Sequence, residues 1–177
     1  MFSENLIGQG VNTYEGFKAY VNNAAARGAL LMPSDEELTT AIMNEDQKRN
    51  ANVLLYMLES KLNESFVDSE YTNGYSDFIV EQIMPEKDNS SWASASYSNE
   101  DRERLTRTLG NFVLLREKLK SADKKADWQR KRNAMKERAS EIDTSAIVTR
   151  GLDIFNEQTI EKRNQWIAEK AIEAWPL

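Results

Sequence analysis

Two short apolar runs in the middle of an otherwise helical sequence constrain the fold more than any other feature of this chain. They cover residues 78–85 and residues 109–115, and a polar segment rich in Ser and Asn separates them. Each run is rich in β-branched or aromatic residues and is bounded by turn-forming residues, which predicts a β-strand. The sequence therefore predicts a two-stranded antiparallel element inserted between helical halves.

Helical patterns precede this element. Apolar spacing predicts helices over residues 12–31 and 47–62, and Ser34 with Glu37 predicts a capping box that opens a further helix between them. The predicted inner stripe of the helix over residues 47–62 consists of Val53, Leu54, Met57, Leu58 and Leu62. Residues 1–65 are therefore interpreted as a helical scaffold.

Helices are also predicted after the first strand. Ser98 is expected to cap a short basic helix that runs to Arg107, and residues 116–125 read as a lysine-rich connection. The remaining helices are predicted over residues 126–139, from Asp143 to about residue 152, and from the cap Asn156 to the end. The predicted fold is a mostly helical α+β protein with a single domain over residues 1–177, divided into a scaffold (1–65), a central element (78–139) and C-terminal helices (140–177).

The composition excludes several classes of site. The chain of 177 residues contains no Cys and no His, which excludes a disulfide framework, a thiolate metal site and an imidazole base. No apolar run approaches the roughly 18 residues that a membrane span needs, and the polar N-terminus does not resemble a signal peptide. We therefore expect a cytoplasmic protein without a membrane partner.

Charge is distributed unevenly along the chain. The net charge is −6, yet residues 102–138 contain 13 Lys and Arg against 5 Asp and Glu. This segment is typical of a surface that faces phosphate groups, although a pair of solvated basic helices would have the same composition. The candidate DNA-binding residues are Lys118, Lys120, Lys124, Lys125, Arg130, Lys131 and Arg132.

Several spaced motifs resemble one known family. They are residues 81–85, residues 109–115, Trp128 with Lys131 and Arg132, Ile160 with Arg163, and Trp175 with Pro176. In this order they resemble the C-terminal domain of GmrSD-type restriction proteins, which act in phage defence and are assigned to the His-Me finger (HNH-like) nucleases. The resemblance implies a ββα finger, hydrolysis of DNA phosphodiesters and a divalent cation such as Mg²⁺.

The resemblance also assigns roles to individual positions. Glu81 matches the acidic residue expected to contact a metal, if any metal binds, and Asn111 matches the Asn that holds the finger. Gln82 falls where the family has its catalytic His, and Lys120 falls where it has an Asn on the helical side of the site. By the same alignment, Lys125 replaces a further Asn. We expect the side chains of Glu81, Gln82, Asn111 and Lys120 to meet in one pocket.

The two altered positions weigh against hydrolysis. General base catalysis typically contributes about 10²- to 10⁴-fold, and the amide of Gln82 has no accessible pKa with which to take a proton. The ammonium of Lys120 has no lone pair to offer a cation and repels it. It would instead favour metal-free binding of a phosphate.

Three functions remain open from the sequence. The first is a DNA-binding domain of a restriction system with impaired catalysis, that is, a pseudo-nuclease. The second is an active DNA-nicking endonuclease with a base other than His, or an inactivated variant of one, in which Glu81 and Asn111 hold Mg²⁺. The third is a protein-interaction module, whose partner would be the nucleotide-hydrolysing N-terminal domain or subunit of the same system.

Overall fold

The structure is a computed structural model that describes residue 19 and residues 33–63, 77–86, 92, 96–124, 126–139 and 142–176. The chain divides into two compact units, residues 1–34 and residues 35–177. All elements named below belong to the second unit. The helix predicted over residues 12–31 lies outside the described residues, apart from residue 19, so the prediction of one domain over the whole chain stays a prediction.

The described residues of the second unit form an α+β fold with seven α-helices and one two-stranded sheet, as the sequence predicts. The elements in chain order are α1 (Asp35–Asn44), α2 (Ala51–Leu62), β1 (Ile79–Gln82), α3 (Asn99–Arg107), β2 (Phe112–Leu115), α4 (Ser121–Lys124), α5 (Trp128–Lys136), α6 (Asp143–Gly151) and α7 (Glu157–Ala174). None of the described helices is both long and apolar enough to cross a membrane.

The two strands form an antiparallel ribbon that is shorter than predicted. Glu81 pairs with Val113 and Gln82 pairs with Phe112. The second run was predicted to be extended from residue 109, but Leu109–Asn111 form a 3₁₀ turn. The side chain of Asn111 accepts a hydrogen bond from the N–H of Met84 and donates one to the carbonyl oxygen of Met84. These bonds hold the turn against the end of β1, so β2 begins only at Phe112.

Side chains alternate between the two faces of the ribbon, and each face is covered by a separate hydrophobic cluster. Phe112 and Leu114 pack with α2 and α7 on one face. Val113 and Leu115 pack on the other face with Trp92, Trp128 and residues of α5. The ribbon is therefore buried on both faces, although it has only two strands.

Several predicted helix signals are confirmed. Ser98 accepts a hydrogen bond from the main-chain N–H of Asp101 at the start of α3. Asn156 and Thr159 form a capping box at the start of α7. Trp92 and Trp128 pack edge to face in the core, with ring centroids 6.2 Å apart.

Other predictions were wrong in detail. Val53 and Met57 were assigned to the inner stripe of α2 but are exposed, and the buried apolar positions are Ala51, Leu55 and Leu58. Because α2 is apolar over much of its circumference, spacing alone does not select the face that packs. The segment 116–125 was predicted to be a connection, yet it contains the short helix α4.

Helix α7 fixes the 3₁₀ turn from outside the ribbon. The buried guanidinium of Arg163 donates hydrogen bonds to the carbonyl oxygens of Gly110 and Phe112, and to that of Thr144 in α6. The side-chain oxygen of Asn164 accepts from the N–H of Gly110, and its amide donates to the hydroxyl of Thr108 at 2.7 Å. Helix α7 therefore determines where β2 begins.

We predict that Gly110→Ala destabilises the protein. A Cβ at this position would lie 2.5 Å from the carbonyl oxygen of Ile160 and 2.7 Å from Oδ1 of Asn164, both of which are held in place. Overpacking of this kind costs about 1–3 kcal/mol. Urea denaturation measures the loss. Gly151→Ala is the matched control, because nothing lies within 4 Å of a Cβ there, and an equal loss in both variants would contradict the prediction.

Candidate functional site

Glu81 and Gln82 are neighbours on β1 but point to opposite faces of the ribbon, because side chains alternate along a strand. Glu81 pairs with Val113 and shares the face that carries the Trp92 and Trp128 cluster. Gln82 pairs with Phe112 and shares the other face. Each residue therefore has its own set of neighbours.

Glu81 is buried and forms an ion pair with a lysine. Its Oε1 lies 2.7 Å from Nζ of Lys124, whose side chain is still 42% exposed. The same oxygen accepts a long hydrogen bond of 3.4 Å from the N–H of Leu119. The carboxylate is thus neutralised by the first helix after β2, and one side of this ion pair faces solvent.

A second, more deeply buried lysine lies near the ion pair of Glu81 and Lys124. Lys131 of α5 is only 3% exposed, and its ammonium donates to the carbonyl oxygen of Lys124 at 3.1 Å. Burial lowers the pKa of Lys131 to about 8, the negative charge of Glu81 opposes this shift, and the positive charge of Lys124 adds to it. Glu81 is therefore the anionic centre of a cluster that contains two ammonium groups.

Gln82 and Asn111 meet on the other side of the ribbon. Both side-chain amides donate to the carbonyl oxygen of Thr106, at 3.0 Å from Gln82 and 2.7 Å from Asn111. Asn111 is fully buried, and its amide also accepts from the N–H of Met84 and donates to the carbonyl of Met84. These three hydrogen bonds of Asn111 join α3, the 3₁₀ turn and the end of β1.

The structure separates the predicted DNA-binding residues into exposed and internal ones. Lys118 and Lys120 are exposed, and Arg130 is exposed beside Asp123, with 3.1 Å between Nε and the carboxylate. Arg132 instead bonds the carbonyl oxygens of Thr149 and Arg150 at the end of α6. Lys131 is internal, as described above, and Lys125 lies outside the described residues.

The four side chains expected in one pocket are therefore divided between two sites. Gln82 and Asn111 share the carbonyl of Thr106, whereas Glu81 contacts Lys124 and the segment that carries Lys120. Strand alternation separates Glu81 from Gln82, and the position of α4 brings Lys124 rather than Lys120 to the carboxylate. The catalytic role predicted for Gln82 and Asn111 and the DNA contacts predicted for the lysines stay predictions.

The residues around Glu81 do not fit a divalent cation. Within the part of the chain that the structure describes, no three Asp, Glu, His or Cys side chains come together at one point. Mg²⁺ prefers oxygen ligands, whereas the partners of this carboxylate are ammonium groups. The Oδ1 of Asn111 is buried in the interior, where it accepts a hydrogen bond from the N–H of Met84. We therefore assign no metal to these residues.

Sequence analysis missed a further group of charges on the Gln82 side. Lys48 binds the carboxylate of Glu86, and Arg107 lies 3.8 Å from the other oxygen of that carboxylate. The side chain of Gln82 also donates a hydrogen bond to Glu86. The one signal in the sequence was the Lys48-Arg49 pair at the start of the helix predicted over residues 47–62, and such a pair is too common to attract attention on its own.

Comparison with known proteins identifies the family. Residues 32–170 match the C-terminal domain of the GmrSD restriction endonucleases, a match that covers both strands, the first six described helices and most of α7. The chain belongs to this family, and it is an endonuclease-like domain of the restriction class. Neither the curated proteins nor the solved structures gave a match.

We predict that Lys131 makes stability rise with pH. Below about pH 8 the folded protein must hold a buried ammonium, whereas at higher pH the folded state has lost this proton and the unfolded state keeps it up to about 10.5. The unfolded state then binds more protons, so the free energy of unfolding increases between these pH values, by roughly 3 kcal/mol.

Urea denaturation across this pH range tests the effect. Lys131→Met should lose the rise, whereas Lys136→Met on the exposed side of α5 should keep it. A parallel pH dependence in the parent and in Lys131→Met would contradict the assignment.

Proposed function

We propose that this domain binds the phosphate backbone of DNA within a restriction system and does so without a metal and with little or no hydrolysis. The family supports a DNA substrate. The observation that carries the rest is the ion pair between Glu81 and Lys124, 2.7 Å apart, at the position where the resemblance expects a metal contact. An ammonium there supplies positive charge to a phosphate and cannot activate a water molecule.

The exposed lysines around this ion pair extend the positive surface. Lys118 and Lys120 are exposed on the segment that leads into α4, and Lys124 is partly exposed at its end. Lys131 lies beneath them and adds its charge from the interior. We assign the phosphate contacts to Lys118, Lys120 and Lys124, and we assign to Lys131 the role of balancing Glu81.

The same arrangement argues against a proton acceptor at the sequence position of the family's His. The Gln82 amide is neutral at every accessible pH, and it is held by the Thr106 carbonyl. Glu81 is the nearest carboxylate along the strand, but it points to the opposite face and is already paired. Gln82 therefore cannot act as the base, and Glu81 is not placed to act in its stead.

Binding to a short fluorescently labelled duplex tests the proposal. Affinity should fall steeply between about 50 and 200 mM salt, because each neutralised phosphate contributes about 0.9 to the slope of log affinity against log salt. Lys118→Gln with Lys120→Gln should lower that slope by about 2. Because the proposed binding needs no metal, addition of a chelator should leave the affinity unchanged.

The matched control removes two exposed lysines elsewhere, through Lys61→Gln with Lys162→Gln on α2 and α7. It changes the net charge equally and should alter the slope much less. Absence of salt-sensitive binding, or equal effects in both double variants, would overturn the proposed surface.

A plasmid-nicking assay tests the missing hydrolysis. We expect no nicking with Mg²⁺ or Mn²⁺, and we expect Gln82→His alone to leave the protein inactive, because the imidazole would face away from Glu81. Metal-dependent nicking that Glu81→Ala abolishes would establish the alternative, an active endonuclease with an unusual base.

A partner remains part of the proposal. The resemblance implies a nucleotide-hydrolysing domain or subunit that would control access of this domain to DNA. Co-purification of such a protein without any DNA binding by this domain would favour the interaction module instead.

A further inference from the structure

An open pocket lies between the turn that joins α1 to α2 and the C-terminal end of α3. Its volume of about 690 Å³ falls within the range of about 300–1,000 Å³ that is usual for ligand pockets. It is lined by Asp46, Lys48, Arg49, Asn50 and Arg107. Three of these five side chains are cations. Arg107 belongs to the basic segment 102–138, whereas Lys48 and Arg49 lie outside it.

The main chain of the pocket is fixed by hydrogen bonds. Gln47 is buried, and its N–H donates to the carbonyl oxygen of Arg107 at 2.9 Å. The carbonyl of Gln47 accepts from the N–H groups of Asn50 and Ala51, which begins α2. The turn that carries Lys48 and Arg49 is thereby joined to the end of α3.

The N-terminal end of α2 adds to the positive potential. Asn50 occupies the N-cap position, but its side chain makes no capping hydrogen bond. The first turn of α2 contains no acidic residue. The partial positive charge of this helix end is therefore not neutralised from within the helix.

An internal carboxylate already lies among these cations. Glu86 binds Lys48 through Oε1, and Arg107 lies 3.8 Å from its Oε2. The hydrogen bond from Lys48 is the largest cause that lowers the pKa of Glu86, with the charges of Lys48 and Arg107 acting in the same direction. Glu86 thus has the cationic environment that an external anion would require.

Arg107 has capacity left for such an anion. Only its contact with Glu103, at 2.8 Å, has the length of a hydrogen bond, whereas those with Glu86 and Asp46 measure 3.8 and 3.9 Å. Its Nε is buried without a hydrogen-bond partner in the described part of the chain. The side chains of Arg107 and Glu86 are 39% and 26% exposed, so solvent screens the contact between them and exchange of this carboxylate for a phosphate costs little.

We propose that this pocket is a second phosphate-binding site, formed by Lys48, Arg49 and Arg107, and that the carboxylate of Glu86 occupies it until a phosphate displaces it. The proposal deepens the proposed function and rests on it, since the ligand is a phosphodiester of the same DNA. The site begins next to Gln82, whose amide contacts both Glu86 and the carbonyl that precedes Arg107.

Two substitutions with opposite expected effects test the site. Glu86→Gln preserves the shape of the side chain and removes the competing charge, so affinity for the labelled duplex should rise about 5- to 10-fold near 0.1 M salt and the salt slope should increase by about 1. Arg49→Gln should lower affinity by a similar factor. Arg49 is exposed and has no ion pair among the described residues, so its replacement leaves the fold intact.

The control for Glu86→Gln is Glu173→Gln on α7. Glu173 also forms an exposed ion pair with a lysine, Lys170, and its replacement changes the net charge by the same amount. It should alter affinity by less than about 2-fold. An equal gain in both variants, or no gain in Glu86→Gln, would overturn the second site and leave the surface around Lys124 unaffected.

A second readout separates this inference from the proposed function. Inorganic phosphate should raise the melting temperature of Glu86→Gln more than that of the parent, relative to chloride at equal ionic strength, and Arg49→Gln introduced into that variant should remove the gain. If phosphate raises the melting temperature in this way but the protein does not bind DNA, the phosphate site is retained and DNA is rejected as the source of the phosphate. Absence of the phosphate effect together with unchanged DNA affinity in both variants rejects the site itself.

Discussion

The buried hydrogen bonds between Arg163 of α7 and the main chain around the 3₁₀ turn are the constraint on which the rest of the structure depends. Burial lowers the pKa of Arg163 to about 9, so the guanidinium is still charged at neutral pH although its hydrogen-bond partners are carbonyl oxygens. Burying a charge is costly unless it is hydrogen-bonded, and here the two terminal nitrogens of the guanidinium donate to three carbonyl oxygens, while Nε has no partner among the described residues. These bonds therefore hold the turn in one position, which fixes the start of β2 and, through the strand pairing, the register of β1.

Once the register of β1 is fixed, the alternation of its side chains determines which charged groups each of them contacts. One face presents Glu81 to Lys124, and the other presents Gln82 to Glu86 and the end of α3. A carboxylate and an amide that are adjacent in sequence thus belong to different charge clusters. The ribbon separates two cationic regions, and each of them contains one internal carboxylate that offsets its charge.

The contacts that support the ribbon do not involve a metal. The hydrogen bonds of Asn111 and the bonds from α7 support the ribbon, and neither depends on a metal. The ammonium of Lys124 neutralises Glu81, which would otherwise be a buried carboxylate without a counter-charge. Such a charge would be strongly destabilising, so the lysine is as much a structural requirement as a surface feature.

The sequence by itself determined the caps at Ser98 and Asn156, the positions of the two strands and the family. It could not determine which face of α2 is buried, that residues 109–111 form a turn rather than a strand, or which lysine reaches Glu81. These depend on contacts between distant segments, such as Asn111 with Met84 and Lys124 with Glu81. Periodicity and capping are local properties of a chain, whereas the choice of face and of ionic partner is made only when the helices pack against the ribbon.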